Sequence, residues 1–266
     1  ILKMKKLKKV FIIAEAGVNH NGSFKKALQL VDTCKKVGAD AIKFQTWKTE
    51  KVLTKNSPKP SYQKNYLKKN TQFEILKNLE LSFNDFKKIK KYCDKKKILF
   101  LSTADEIESA NFLRSLQPFF KIGSAELTDI PFLRKISKFK KPLIISTGMS
   151  NNAEIGIALK NIINSGLKRK TITLMHCNSA YPTPSEDVNL KAIKTLKKKF
   201  KVQVGFSDHT VSTSAPLAAV TMGAKVIEKH ITLSRKLKGP DHSSSLEPKE
   251  FKFMISQIRE VEKMLG

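Results

Sequence analysis

Short runs of apolar, β-branched residues alternate with longer amphipathic stretches along the whole chain. The runs fall at residues 10–14, 41–45, 98–102, 119–123, 143–146, 171–176, 202–206 and 225–229. Such alternation predicts parallel strands joined by crossover helices. Eight strands, each followed by a helix, predict an α/β fold closed into a (β/α)8 TIM barrel rather than an open sheet. An open dinucleotide-binding sheet would carry a glycine-rich turn after its first strand. This chain has the tight-turn pair Asn21-Gly22 there instead.

The predicted helices carry start and stop signals. Ser23 is placed to cap a helix over 24–37, and Gly38 to end it. Ser82 with Asp85 marks the start of a helix running to about Lys96. Asn151 or Asn152 can cap a helix over 153–164 that ends at Gly166, and Pro248 opens a last helix reaching about Leu265. One long insertion, from Thr46 to about Glu80, breaks the regular spacing. It is lysine-rich and contains Pro58, Pro60, Tyr62 and Tyr66. A loop of that length after a barrel strand reads as a lid or substrate wall. The residues before Val10 are too few for a domain and are read as a small hairpin over the barrel floor.

A length of 266 residues with 40% hydrophobic content suits one barrel domain over 1–266. No apolar run approaches the ~20 residues of a membrane span, and the start lacks the apolar segment of a signal peptide. The expectation is a cytoplasmic protein without a membrane partner. Cys34, Cys93 and Cys177 are widely spaced and form no CxxC pattern, so a disulfide framework is not expected, and packing is the favoured role. The formal charge of +28 raises the question of nucleic acid. Against it, the basic residues are overwhelmingly lysine, spread as pairs such as Lys25-Lys26 and Lys87-Lys88 on predicted outer helix faces. No clustered arginine with interleaved aromatics occurs, so a noncatalytic basic binding protein ranks as the alternative class.

Polar residues gather at the carboxyl ends of the predicted strands, where barrels place their chemistry. The ends supply Glu15; Lys43 with Gln45; Ser102-Thr103; Lys121 with Ser124 and Glu126; Ser146-Thr147; His176 with Asn178-Ser179; Ser207-Asp208-His209; and Glu228 with His230. Lys43 and Lys121 on nonadjacent strands could meet one anion, with Thr103, Ser124, Ser146, Ser179 and Ser207 as hydroxyl donors around it. Lysine charges and hydroxyls suit a phosphate, although any one serine could instead satisfy loop backbone. His209 and His230 end neighbouring strands about 4.8 Å apart, so both imidazoles could reach one divalent metal. Asp208 and Glu228 stand beside them and could orient them or the substrate. His20 and His242 fall in loops, where substrate contact and solvated polarity are equally open.

These segments resemble the N-acetylneuraminate (sialic acid) synthase family, which includes legionaminate and pseudaminate synthases. The matching motifs are IAEAGVNHNG at 13–22, IKFQT at 42–46, FKIGSAE at 120–126, STGM at 146–149, HCNSAYPTP at 176–184, GFSDHT at 205–210, IEKHIT at 227–232 and GPDH at 239–242. The resemblance implies a transferase joining phosphoenolpyruvate to an N-acyl amino sugar, with N-acetylmannosamine or a diacetamido-trideoxyhexose as acceptor. The product would be a nine-carbon 2-keto sugar acid. It implies Lys43, Thr103, Lys121, Ser124, Ser146 and Ser207 around phosphoenolpyruvate, with Ser179 at a position where the family often has asparagine. It implies a divalent metal on His209 and His230, usually Mn2+, with Mg2+ or Co2+ as alternatives. Glu15, Gln45, Tyr181 and Asp241 would contact the sugar, and Glu126 would handle protons, with Glu15 also in the catalytic set. The third-strand motif departs from the family's Ser-Thr-Pro-Phe, reading Ser102-Thr103-Ala104-Asp105. The resemblance also implies a homodimer in the full-length form, with a small antifreeze-like (SAF) C-terminal domain that this sequence, ending at Gly266, is not expected to contain. A 3-deoxy-octulosonate-phosphate synthase is the near alternative. It would need an arginine-rich site for a second phosphate, and the arginines are only Arg114, Arg134, Arg169, Arg235 and Arg259, mostly on predicted helices.

Overall fold

A computed structural model describes residues 9–59 and 70–266. The suggested N-terminal hairpin, and Pro60, Tyr62 and Tyr66 of the insertion, lie outside them. Eight parallel strands are present: β1 (Phe11–Gly17), β2 (Ala41–Thr46), β3 (Leu99–Ala104), β4 (Phe120–Ile122), β5 (Leu143–Ser146), β6 (Ile172–Cys177), β7 (Gln203–Asp208) and β8 (Val226–His230). Their order is β3-β2-β1-β8-β7-β6-β5-β4, and β3 packs beside β4 at the remaining seam, so the sheet curls into a nearly closed barrel.

Most observed strands run one to three residues beyond the predicted ends. Glu15, Thr103, Asp208 and His230 are polar, and polarity looks like a strand terminus in sequence. Each nonetheless continues the extended backbone into the mouth of the barrel. That mouth is where the polar strand ends converge.

The side chains alternate between two layers, as strand geometry requires. Phe11, Ile13, Leu101, Phe119, Ile144 and Met175 point inward and plug the barrel floor. Ile12, Ala14, Phe44, Phe100, Leu174 and Phe206 point outward into the larger core beneath the helices. The predicted helix signals are realised. α1 (Phe24–Val37) has Ser23 accepting from the Lys26 N–H at 3.3 Å, and Gly38 closes it in the left-handed region at φ 89°. After the insertion, α4 (Phe83–Lys96) starts with a reciprocal Ser82–Asp85 box. α5 (Ile107–Leu113), α6 (Ile130–Ser137), α7 (Asn152–Asn164), α8 (Lys191–Phe200), α9 (Ser214–Thr221) and α10 (Pro248–Met264) complete the outer ring. Of the two candidate asparagines it is Asn151 that caps α7.

The described parts of the insertion hold regular structure rather than a plain loop. They carry α2 (Thr49–Val52) and α3 (Gln72–Leu79), the latter started by a Thr71–Glu74 capping box. Trp47, Ile75 and Leu79 pack with Val18 as a hydrophobic cluster separate from both barrel layers. The insertion is thus a wall with its own small core. Cys34 and Cys93 are free and buried in the outer core, as packing predicts.

Candidate active site at the strand carboxyl ends

Register builds the site. Glu15 on β1 pairs with Lys43 on β2 and with His230 on β8, so three ionisable residues share one layer above the floor. Lys121, Ser146, Ser207 and Glu228 join from the other strands, lining a cavity of about 520 Å³. The inward positions Gln45, Thr103, Ser124, Glu126, Ser179, Tyr181 and His209 line the same cavity. Asp241 stands in an adjoining chamber of about 190 Å³, which Gln45, Tyr181 and His230 also border. The structure therefore brings together every one of the site residues expected from sequence.

The two lysines meet, but on carboxylates of the protein. Lys43 Nζ lies 2.9 Å from Glu15 Oε1, 3.8 Å from Glu228 Oε1 and 3.0 Å from Thr103 Oγ1. Lys121 Nζ lies 3.3 Å from the same Glu228 oxygen. Glu228 is the pivot of the group, a role its neighbour position in sequence did not disclose. Burial alone would raise its carboxyl, but Lys121 and Lys43 outweigh burial and hold it low. Burial raises Glu15 instead, with Lys43 only partly opposing and the Glu228 charge adding to the rise. For Lys43 burial works against the charge, and Glu15 and Glu228 more than reverse that.

The hydroxyls divide. Ser207 donates to Glu228 Oε1 at 3.1 Å, and Ser124 accepts from the Gly148 N–H at 3.0 Å, as backbone satisfaction would have it. Ser146 Oγ, Glu15 Oε2, Glu228 Oε2 and His230 Nδ1 are buried and, among the described residues, have no hydrogen-bond partner. Four such atoms around one cavity mark a surface prepared for a polar ligand.

Several strand-end residues face the other way. Ser102 bonds Thr46 at 2.7 Å, and His176 bonds the Val188 carbonyl at 2.6 Å while stacking on Phe206. Asp208 pairs with the fully buried Lys229, whose ammonium also reaches the Thr210 and Ser212 carbonyls. That group holds the chain after β7 from outside the barrel; it does not touch the cavity. Two loop histidines are neither substrate contacts nor solvated. His20 is fully buried and accepts from the Gly22 N–H at 3.1 Å, and His242 is fully buried against Thr232 at 2.7 Å. Cys177, expected only to pack, lines the cavity with its thiol 3.3 Å from Ser124 Oγ. Sequence reasoning missed Asp105, Trp47 and Gln72 as lining residues. They belong to the irregular stretch after β3 and to the insertion, where no strand period exists to aim a side chain.

His209 and His230 stand with ring centroids 5.6 Å apart, and the Tyr181 ring stacks on His209 at 4.1 Å. His209 Nδ1 bonds the Asn178 carbonyl, which can only accept, so Nδ1 carries the hydrogen and Nε2 keeps a lone pair. Burial lowers His209 to about 4 and His230 well below the ordinary histidine range, where His209 adds to the effect. Two neutral imidazoles, one with an unpartnered buried nitrogen, are a donor set that fits a divalent cation. Asp241 Oδ2 lies 3.9 Å from His230 Nδ1, and burial raises its carboxyl to about 6.

Glycines seat the carboxylates. Gly17 takes φ 49°, and a Cβ there would stand 3.4 Å from both Asp241 Oδ2 and Glu15 Oε1. At Gly123 a Cβ would come within 2.3 Å of Glu126 Oε2, so the Glu126 carboxyl lies directly on that bare backbone. Burial raises Glu126, while hydrogen bonds from its own and the Gly123 backbone work against the rise.

Known proteins share this architecture. The chain matches the NeuB family over residues 30–266. It is 45% identical to the N,N'-diacetyllegionaminic acid synthase of Campylobacter jejuni over 262 residues, covering 98% of this chain and 78% of that one. The enzyme of the same description from Legionella pneumophila is 44% identical, covering 96% and 73%. Among solved structures, the N-acetylneuraminic acid synthetase of Leptospira borgpetersenii superposes with a TM-score of 0.86 at 34% identity, over 97% of this chain and 85% of that one. A 3-deoxy-D-arabino-heptulosonate 7-phosphate synthase from Thermotoga maritima shares only the fold, at 15% identity and TM-score 0.73. With its barrel, its polar strand ends and relatives that are synthases over nearly its whole length, the chain belongs to the NeuB family of enzymes.

Proposed function

We propose that this chain condenses phosphoenolpyruvate with the open-chain aldehyde of an N-acyl amino sugar, N-acetylmannosamine or a diacetamido-trideoxyhexose. The observation that carries the reading is the arrangement of one cavity: a lysine–glutamate–serine layer on one side and two neutral imidazoles on the other, with Glu126 facing in. The sequence similarity to legionaminic acid synthases supports the same chemistry.

Lys121, Lys43, Thr103, Ser124, Ser146, Ser179 and Ser207 hold the phosphate and carboxylate of phosphoenolpyruvate. Ser146, whose buried hydroxyl has no partner among the described residues, is the readiest donor. Glu15, Gln45, Tyr181 and Asp241 hold the sugar chain. His209 and His230 would hold a divalent metal, Mn2+ before Mg2+ or Co2+, which supplies Lewis-acid polarisation when bound. Glu126 moves the protons. Its raised carboxyl gives a proton to the aldehyde oxygen as phosphoenolpyruvate C3 forms the new carbon–carbon bond. The resulting carboxylate then takes a proton from the water that adds at C2. The C2–O bond to phosphate breaks, the second water proton leaves with phosphate, and the product is a nine-carbon 2-keto sugar acid.

The test is phosphate release from phosphoenolpyruvate with a panel of amino sugars and added Mn2+. Release that depends on an N-acyl amino sugar is expected. Release that ignores the sugar, or none with any acceptor, would overturn the reading.

A further inference from the structure

The smaller chamber beside the cavity has a composition of its own. Its outer side is apolar, formed by Val18, Trp47, Leu76 and Leu79. The Trp47 indole N–H is already donated to Thr49 Oγ1 at 3.1 Å, so the ring offers the chamber only its apolar faces. Beside these apolar residues stand two polar side chains. Gln72, at the first position of α3, is buried, with 7% of its surface exposed, yet among the described residues its amide oxygen accepts no hydrogen bond. The Asp105 carboxyl borders both the chamber and the main cavity. Its backbone N–H is fixed to the Thr46 carbonyl at 3.2 Å, and among the described residues its side chain makes no hydrogen bond or ion pair.

An apolar lining beside an uncommitted amide oxygen and a carboxyl suits one kind of substituent: a short apolar group attached to an amide. A hydroxyl would satisfy the polar groups but waste the apolar lining, and an alkyl group would strand the buried Gln72 oxygen. We propose that Gln72 and Asp105 are specificity-determining residues for the acceptor, binding the amide of an acylamino substituent whose methyl packs on Trp47 and Leu76. The inference rests on the reading of the acceptor as an N-acyl amino sugar. Burial, with Glu126 second, raises the Asp105 carboxyl well above the carboxylate range. In its neutral form, which burial favours, the carboxyl presents C=O and O–H together, the complement of an amide's N–H and C=O, and asparagine offers a matching acceptor and donor.

The experiment uses the full chain with mannose, N-acetylmannosamine and a 2,4-diacetamido-trideoxyhexose, which carry none, one and two acetamido groups. Gln72→Leu and Asp105→Leu should raise the KM of the preferred acylamino sugar about tenfold or more, with a smaller change in kcat. Asp105→Asn should stay within about threefold of the parent, and calorimetry should show phosphoenolpyruvate binding retained in Gln72→Leu. Saturation-transfer NMR on the acetamido methyls reads the contact without turnover. A methyl signal in the parent that both leucine variants lose supports the assignment even if no phosphate is released, the outcome that would sink the proposed reaction instead. Methyl signals absent in the parent, or equal in parent and variants, would overturn it, as would an unchanged preference among the three sugars.

Discussion

Glu228 shows what single residues can and cannot reveal. Its position beside His230 in sequence suggested a helper, whereas two ammonium groups converge on one of its oxygens. Lys43 and Lys121 therefore differ, although sequence treats them alike. Without Lys121, Glu228 still keeps Lys43 and Ser207, so Lys121→Ala should weaken phosphoenolpyruvate binding by about 1.5–3 kcal/mol, the worth of a charge-assisted contact, with the smaller loss of stability of the two. Lys43 also neutralises the buried Glu15 at 2.9 Å. Lys43→Ala strands that carboxyl and should lower stability as well, by up to ~3–5 kcal/mol. Calorimetry and thermal melts on both variants separate the two roles; equal melting points would disprove the distinction. The imidazole pair was legible, because adjacent strand ends must be neighbours. Replacing His230 by alanine should remove most Mn2+ binding with the fold retained, and full metal content by elemental analysis would contradict the assignment. His20 and His242 were not legible, because nothing local tells a loop histidine that closes a buried turn from one that waits for substrate.

At the level of elements, the strands and the capped helices could be read because each is a local pattern with a local physical cause. Ser23, Ser82 and Gly38 act as their positions announce. The insertion could be located but not resolved into α2, α3 and a hydrophobic cluster, since those depend on Trp47 meeting Val18 from a different strand end. The turn after β4 gives the sharpest prediction here. Gly123 has no left-handed φ to defend, so alanine there brings no backbone strain, only a Cβ placed 2.3 Å from Glu126 Oε2. The carboxyl is the far end of a flexible side chain and can swing aside. Gly123→Ala should therefore keep stability and phosphoenolpyruvate affinity while losing turnover, on the scale of ~10²–10⁴ that general acid–base catalysis supplies. Glu126→Gln should match it. If Gly123→Ala turns over at the parent rate, the Glu126 carboxyl does not need its seat and its proposed role fails.

Across the whole molecule, the barrel was legible because eight repeats leave few ways to close, and the +28 charge distracts because its lysines are spread along the chain rather than gathered into an arginine-rich patch. What sequence could not show is how much ionisable chemistry the barrel mouth buries, and that has a global consequence. Asp241 is held to about 6, against an ordinary value near 3.8, by burial. A raised folded pKa means that its contribution to stability is fully present below the unfolded value and is lost as pH climbs through about 6. Burial lowers His20, His209 and His242 to about 4, and their contribution runs the other way: present above the unfolded value near 6.5 and lost as pH falls. The two trends oppose each other between about pH 4 and 6.5, so the melting temperature of the parent alone does not isolate either. A difference measurement does. In chelator-treated protein at pH 5, the folded carboxyl of Asp241 is mostly protonated while the unfolded one is already ionised, so Asp241→Asn should be ahead by only about half of the full effect. At pH 8 the parent must hold a buried carboxylate while the variant holds a neutral amide of the same shape. The variant should then be the more stable by up to ~3 kcal/mol, since each tenfold change in proton affinity on folding is worth about 1.4 kcal/mol. Chemical denaturation of parent and variant at both pH values reads this directly. A gap that is the same at pH 5 and pH 8 would mean that Asp241 is ionised at both, and that the chamber it closes is wetter than its burial implies.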